Sequence, residues 1–159
     1  MSVLTKINSI LLLFVPMFFG YMFNKFCPAQ KQSNDKSIWR PKPIVFQVIW
    51  PILYILLGIS MVIAYNSKNS SVFLGTMFMF LLISLNSWQY LFWCENKKES
   101  ALYMIMLSLL FTNFIMINGE RSIKLLMSPL LIWLTLALQL NFNEVQFALY
   151  NQQQKKIIS

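Results

Sequence analysis

The 159-residue chain has no histidine, only two cysteines and only five acidic residues. Without histidine, the common zinc and non-haem iron sites and the usual histidine-ligated haem are excluded. The sequence also lacks a P-loop, a dinucleotide-binding glycine motif and a GxSxG motif, which excludes the usual nucleotide-driven transporters and serine hydrolases. We therefore predict no catalytic residues, no metal and no cofactor.

Charge of either sign is scarce. Charged residues make up 11% of the chain, whereas 57% is hydrophobic and 16% aromatic, and the mean hydropathy is +0.58. Soluble domains are roughly 45–50% apolar and about 25% charged. The composition therefore predicts an integral membrane protein, and the length suits a single domain over 1–159.

The apolar runs predict an all-α bundle of five transmembrane helices. Each run approaches the roughly 20 residues that a helix needs to cross the hydrocarbon core, and each is too continuous for the alternating strands of a barrel. The predicted spans are 3–23, 44–65, 72–93, 101–117 and 125–142, with a long loop over 24–43. The last four spans contain no charged residue, which argues against an ion-coupled pump or transporter.

Lysine and arginine are distributed unequally between the two sides of this bundle. The larger group has nine members, Lys25, Lys31, Lys36, Arg40, Lys42, Lys97, Lys98, Lys155 and Lys156, and the smaller has four, Lys6, Lys68, Arg121 and Lys124. The positive-inside rule then places the C-terminus and the first loop in the cytoplasm and the N-terminus outside. Cys27 and Cys94 fall on the predicted cytoplasmic side, so we expect free thiols.

The net charge of +8 is interpreted as a signal for topology and lipid headgroups. No nucleic-acid-binding motif surrounds the basic residues, so nucleic acid is not an expected partner. Membrane lipid is an expected partner.

An aromatic stripe begins the second predicted helix. Phe46, Trp50, Tyr54 and Gly58 follow one another at intervals of four residues and therefore share one helical face. The stripe is typical either of an interfacial aromatic belt with ordinary bundle packing or of a binding surface. Gly58 predicts a point where another helix approaches closely.

Three sequence blocks resemble one known family. Trp39, Pro41, Trp50, Tyr54 and Gly58 occur in the order of the signature of the TspO/MBR family of tryptophan-rich sensory proteins and translocator proteins. The segment 88–93 is similar to the family's W-x-P-x-F-F stretch, and the segment 129–142 to its P-x-x-x-W-x-x-x-A-x-x-L-N-Y pattern. The blocks follow the family order and cover most of the chain.

The resemblance implies a receptor or translocator for porphyrins, above all protoporphyrin IX, with sterols and other apolar small molecules as further ligands. The family binds them among five helices, near the end capped by the first loop. The ligand-binding residues that the resemblance implies are Trp39, Trp50, Tyr54, Asn86, Trp88, Phe92, Trp133, Ala137 and Asn141, of which Asn86 stands one position from the family's asparagine.

Several alternatives stay open from the sequence. The intramembrane amides either join helices or offer hydrogen bonds to a ligand, and the basic residues of the first loop either meet porphyrin propionates or only set topology.

Family members have been credited with light- and oxygen-dependent porphyrin breakdown, while a small scaffold that binds lipid or a membrane partner is the simplest alternative. A homodimer is one expected assembly. The sequence does not distinguish the mitochondrial outer membrane from a bacterial envelope.

Overall fold

The computed structural model describes residues 3–26, 41–67 and 72–158. These residues form five α-helices: α1 (Val3–Phe26), α2 (Pro43–Asn66), α3 (Val72–Trp93), α4 (Lys98–Asn118) and α5 (Arg121–Ile158). The part of the chain that the structure describes contains no strand. The prediction of an all-α membrane bundle is therefore confirmed.

Apolar length distinguishes α1 from the other helices. The apolar stretches of α2 to α5 are long enough to cross a membrane, whereas α1 contributes the shorter apolar segment Ile7–Phe23. The predicted spans differ from the helices mainly at their ends. The largest difference is in α5, which we expected to end near 142 and which continues to Ile158.

The helices pack as a ring in the order α1, α2, α5, α4, α3, and α3 closes the ring by contacting α1 and also reaches α2 across it. Consecutive helices α3 and α4 are direct neighbours, as are α4 and α5, because short turns join them. The ring order brings the aromatic stripe of α2 next to α5 and within reach of α3. Residues from three separate helices can therefore meet at one place.

Two glycines allow α1 and α2 to approach closely. A Cβ atom at Gly58 of α2 would overlap with the backbone carbonyl of Leu13 in α1, which confirms the predicted close crossing. A Cβ at Gly20 of α1 would overlap with the ring of Tyr54 in α2. Near the other end of the pair, the amide of Asn66 donates a hydrogen bond of 3.1 Å to the Ser9 hydroxyl.

The pair α3–α4 combines a polar contact with an aromatic one. The hydroxyl oxygens of Ser84 and Ser108 are 2.8 Å apart, and both side chains are buried. The rings of Phe80 and Phe111 stack at a centroid distance of 5.6 Å. Both contacts join α3 to α4 within the membrane-spanning part.

The turn that follows α3 brings two distant parts of the chain together. Cys94 is disulfide-bonded, so the expectation of a free thiol is wrong for this residue. Its sulfur lies 3.9 Å from the carbonyl oxygen of Phe26, the last residue of α1, although the two residues are 68 positions apart. That proximity comes from the ring order of the helices and has no local sequence pattern. Cys27 lies outside the described residues.

A small polar network lies at the surface of the same turn. Glu95 accepts a hydrogen bond of 2.9 Å from the Tyr90 hydroxyl and forms an ion pair of 3.1 Å with Lys97. Lys97 and the Tyr90 hydroxyl hold the pKa of Glu95 below its ordinary value. Asn96 has a positive φ of 53°, a conformation that asparagine tolerates better than most residues.

Candidate ligand-binding site

A cluster of aromatic rings centres on Trp50 of α2. The Trp50 ring contacts Tyr54 at a centroid distance of 5.5 Å, Trp88 of α3 at 5.6 Å and Trp133 of α5 at 6.5 Å. The Trp50 and Trp133 rings meet edge to face, with an interplanar angle of 88°. These distances lie in the range where aromatic pairs attract one another beyond simple area burial.

Further rings extend the cluster in both directions. Phe46 contacts Trp133 at 5.4 Å, and Phe92 contacts Trp88 at 5.7 Å. Beyond Phe92, the ammonium group of Lys98 lies 3.6 Å from the ring centroid and donates a hydrogen bond of 3.1 Å to the Phe92 carbonyl. We call Phe46, Trp50, Tyr54, Trp88, Phe92 and Trp133 the ring cluster.

Two indole N–H groups of the ring cluster are buried without a hydrogen-bond partner among the described residues. They belong to Trp88 and Trp133, which are 5% and 7% exposed. A buried donor left unpaired typically costs about 1–3 kcal/mol. The cluster can therefore offer stacking faces together with two hydrogen-bond donors, a combination that suits a flat apolar ligand with acceptor atoms at its edge.

Most of the predicted site residues come together here. Trp50, Tyr54, Trp88, Phe92 and Trp133 all belong to the ring cluster. Ala137 is buried one turn after Trp133 on the same face of α5.

The two predicted asparagines make other contacts. The Asn86 amide donates a hydrogen bond of 2.7 Å to the Leu82 carbonyl of its own helix. The Asn141 amide donates one of 3.3 Å to the carbonyl of Lys98, which joins α5 to the start of α4. The amide oxygens of both are buried without a partner among the described residues, so each retains an acceptor.

The remaining predicted contact residues belong to the first loop. Trp39, Lys31, Lys36 and Arg40 lie outside the described residues. Lys42 is exposed at the start of α2.

Three residues of the site were missing from the predicted set. Phe46 belongs to the aromatic stripe, but its contact with Trp133 depends on α5. Gly20 gives the Tyr54 ring its space, and no pattern within α1 indicates this. Lys98 was counted only toward topology, yet it lies over Phe92.

Ionisable groups do not collect at the ring cluster. In the part of the chain that the structure describes, no group of three or more histidine, cysteine, aspartate or glutamate side chains is arranged to hold a metal ion. The chemistry that this site can perform with its own side chains is stacking, apolar contact and hydrogen-bond donation.

Comparison with known proteins identifies the family of this chain. A model of the TspO/MBR family matches residues 9–146. The tryptophan-rich protein TspO of Chlorobaculum tepidum is 29% identical over 117 residues, which cover 70% of this chain and 74% of that protein. The family match includes parts of all five helices, although α5 continues beyond it, and every residue of the ring cluster. The chain is thus a multi-pass membrane protein that belongs to the TspO/MBR family.

Proposed function

We propose that this protein binds porphyrins, with protoporphyrin IX as the ligand to test first, by inserting them into the ring cluster. The observation that carries the proposal is the contact of Trp50 with both Trp88 and Trp133, whose buried indole N–H groups have no partner among the described residues. A porphyrin is flat and largely apolar and has polar groups at its edge. Its shape and chemistry fit what the cluster offers.

Binding has to separate rings that contact one another. Each aromatic pair contributes about 0.5–1.5 kcal/mol beyond area burial, and a porphyrin face can replace such a contact with a larger one. An acceptor atom at the ligand edge would also pair one of the two indole N–H groups. Ligand contacts therefore offset the ring contacts that are lost.

The test is an equilibrium titration of the purified protein in lipid nanodiscs with protoporphyrin IX, followed by tryptophan quenching. Trp88→Phe and Trp133→Phe each remove an N–H group and part of a stacking surface. We expect each to weaken binding by about tenfold, which corresponds to about 1.4 kcal/mol. Trp93→Phe is the matched control, because Trp93 contacts Phe92 but none of the other cluster rings at stacking distance, and it should leave the affinity nearly unchanged.

Haem provides a second control. The chain has no histidine, and the proposed contacts involve the macrocycle and its edge, so metal-free protoporphyrin IX should bind at least as well as haem. Strong preference for haem, or equal losses from Trp93→Phe and Trp133→Phe, would contradict binding in the ring cluster. No measurable affinity of the unmodified protein would contradict the proposed function itself.

The same samples separate binding from degradation. Under illumination in air, a protein that only binds porphyrin should lose the porphyrin absorption band at the same rate with and without the substitution Trp133→Phe, once both forms are saturated. A slower loss in Trp133→Phe at equal occupancy would favour the enzyme-like alternative.

A further inference from the structure

An apolar groove lies between α2 and α5 on the side of the bundle. It has a volume of about 280 Å³ and is lined by Ile49, Ile52, Leu53, Pro129, Ile132 and Trp133. Ile52 and Ile132 are 51% and 65% exposed, and both lie within the membrane-spanning parts of their helices. The groove therefore opens toward the hydrocarbon core of the bilayer.

Trp133 connects this groove to the ring cluster. Its side chain lines the groove, while its ring contacts Phe46 at 5.4 Å and Trp50 at 6.5 Å. The side chain is 7% exposed, and its N–H group has no partner among the described residues. A displacement of this one indole would therefore break no hydrogen bond of its own with those residues and would open the groove toward Trp50.

The helix backbone next to Trp133 lacks one of its usual restraints. Pro129 has no N–H group and cannot donate to the Leu125 carbonyl. That carbonyl instead accepts a hydrogen bond of 2.8 Å from the Ser128 hydroxyl. Pro51 likewise removes a backbone bond of α2 next to Ile52. Both helices that form the groove thus contain a proline, although only Pro129 lines the groove itself, and small shifts of either helix cost less near its proline than in an uninterrupted helix.

We propose that this groove is the lateral entrance to the ring cluster: a porphyrin dissolved in the bilayer enters between α2 and α5 and displaces Trp133 to reach Trp50. The proposal rests on the proposed function. Its occupant is the apolar edge of the porphyrin, because the groove lining is apolar and offers no partner for a charged group. The propionates would remain outside the groove during entry.

The test blocks the groove without removing any ring of the cluster. Ile132→Trp places a large side chain at the rim, and Ile52→Trp does the same from the opposite wall. Ile83→Trp is the matched control, because Ile83 is an apolar residue on α3 with 58% exposure that does not line the groove. Each variant carries one added tryptophan, so the fluorescence signals are comparable.

Exchange of protoporphyrin IX is measured by stopped-flow quenching, with the porphyrin delivered from donor vesicles. We expect Ile132→Trp and Ile52→Trp to slow both association and dissociation by roughly tenfold, because an overfilled groove raises the barrier to passage. The equilibrium Kd should change little. Ile83→Trp should exchange at the rate of the unmodified protein, and melting temperatures of all variants show whether each is folded.

The outcomes are distinct. Normal affinity with unchanged rates in both groove variants would overturn the entrance and leave the proposed function intact. Weaker affinity with an unchanged association rate would make the groove part of the binding site and would also overturn the entrance. Equal slowing in Ile83→Trp would assign the effect to bilayer packing and overturn the entrance as well. If the unmodified protein does not bind protoporphyrin IX, the proposed function fails first.

Discussion

Gly58 determines how closely α1 approaches α2. A Cβ atom there would overlap with the Leu13 carbonyl, which is backbone and can move only if the helices separate. We therefore expect Gly58→Ala to lower the melting temperature of the bundle, since overpacking typically costs about 1–3 kcal/mol. Thermal unfolding in a mild detergent, followed by circular dichroism, measures the effect.

Gly75→Ala is the control for this substitution. A Cβ at Gly75 meets no atom within 4 Å, and replacing glycine by alanine within a helix contributes up to about 1 kcal/mol. Gly75→Ala should therefore melt at or above the temperature of the unmodified protein. If Gly58→Ala and Gly75→Ala behaved alike, the close crossing would not contribute to stability.

The aromatic stripe shows which part of the site follows from the local sequence. Spacing alone predicts that Phe46, Trp50 and Tyr54 share a face, because the positions belong to one helix. Their partners come from three other helices: Phe46 meets α5, Trp50 meets α3 and α5, and Tyr54 also packs on Gly20 of α1. The family resemblance brought Trp88 and Trp133 into the predicted set, whereas no sequence pattern assigned Gly20 or Lys98.

Polar contacts between the helices involve hydroxyl as well as amide side chains. The intramembrane amides were one expected link between helices. Asn86 and Asn113 donate to carbonyl groups of their own helices, whereas Asn141 of α5 donates to the Lys98 carbonyl at the start of α4. The smaller hydroxyls of Ser84 and Ser108 join α3 to α4. Short side chains let the helix backbones approach, and a hydrogen bond can then form directly between them.

A double-mutant cycle measures that contact. Ser84→Ala and Ser108→Ala each remove one hydroxyl from a buried pair, and the double variant removes both. We expect a coupling energy of about 0.5–1.5 kcal/mol from unfolding measurements, in the range of other interhelical hydrogen bonds in membranes. Ser128→Ala, which alters a hydroxyl bonded within its own helix, should show no coupling to Ser84→Ala. Additive effects of Ser84→Ala and Ser108→Ala would mean that the contact between the two hydroxyls contributes nothing.

Helix α5 shows why element boundaries differ from predicted spans. Hydropathy predicted a span over 125–142 because the residues that follow are polar. A fall in hydropathy marks the edge of the membrane, however, and not the end of the helix. The sequence after Phe142 contains no glycine or proline and continues with good helix formers such as glutamine, alanine and leucine. At 38 residues, α5 is about 57 Å long, far more than the roughly 30 Å hydrocarbon core. One end therefore projects beyond the membrane.

Across the whole molecule, two features imply opposite orientations of the bundle in the membrane. The distribution of nine basic residues against four predicts that the C-terminus and the Cys94 turn face the cytoplasm. The disulfide at Cys94 is typical of an oxidising compartment, since cytosolic thiols are generally kept reduced. Charge acts while the chain inserts, whereas a disulfide forms afterwards in whichever compartment its cysteines have reached. We therefore expect the charge distribution to decide the topology.

The two ends of α5 provide the measurement. In a background of Cys27→Ser and Cys94→Ser, Gln152→Cys places a single exposed thiol on the projecting end, and Ser122→Cys places one at the opposite end of the same helix. A membrane-impermeant maleimide should label Ser122→Cys in intact cells and Gln152→Cys only after the membrane is opened, because the charge distribution predicts that the basic C-terminal end faces the cytoplasm. Labelling of both after permeabilisation controls for reactivity. The reverse pattern would place the Cys94 turn in an oxidising compartment, and the disulfide rather than the count of basic residues would then be the better guide to orientation.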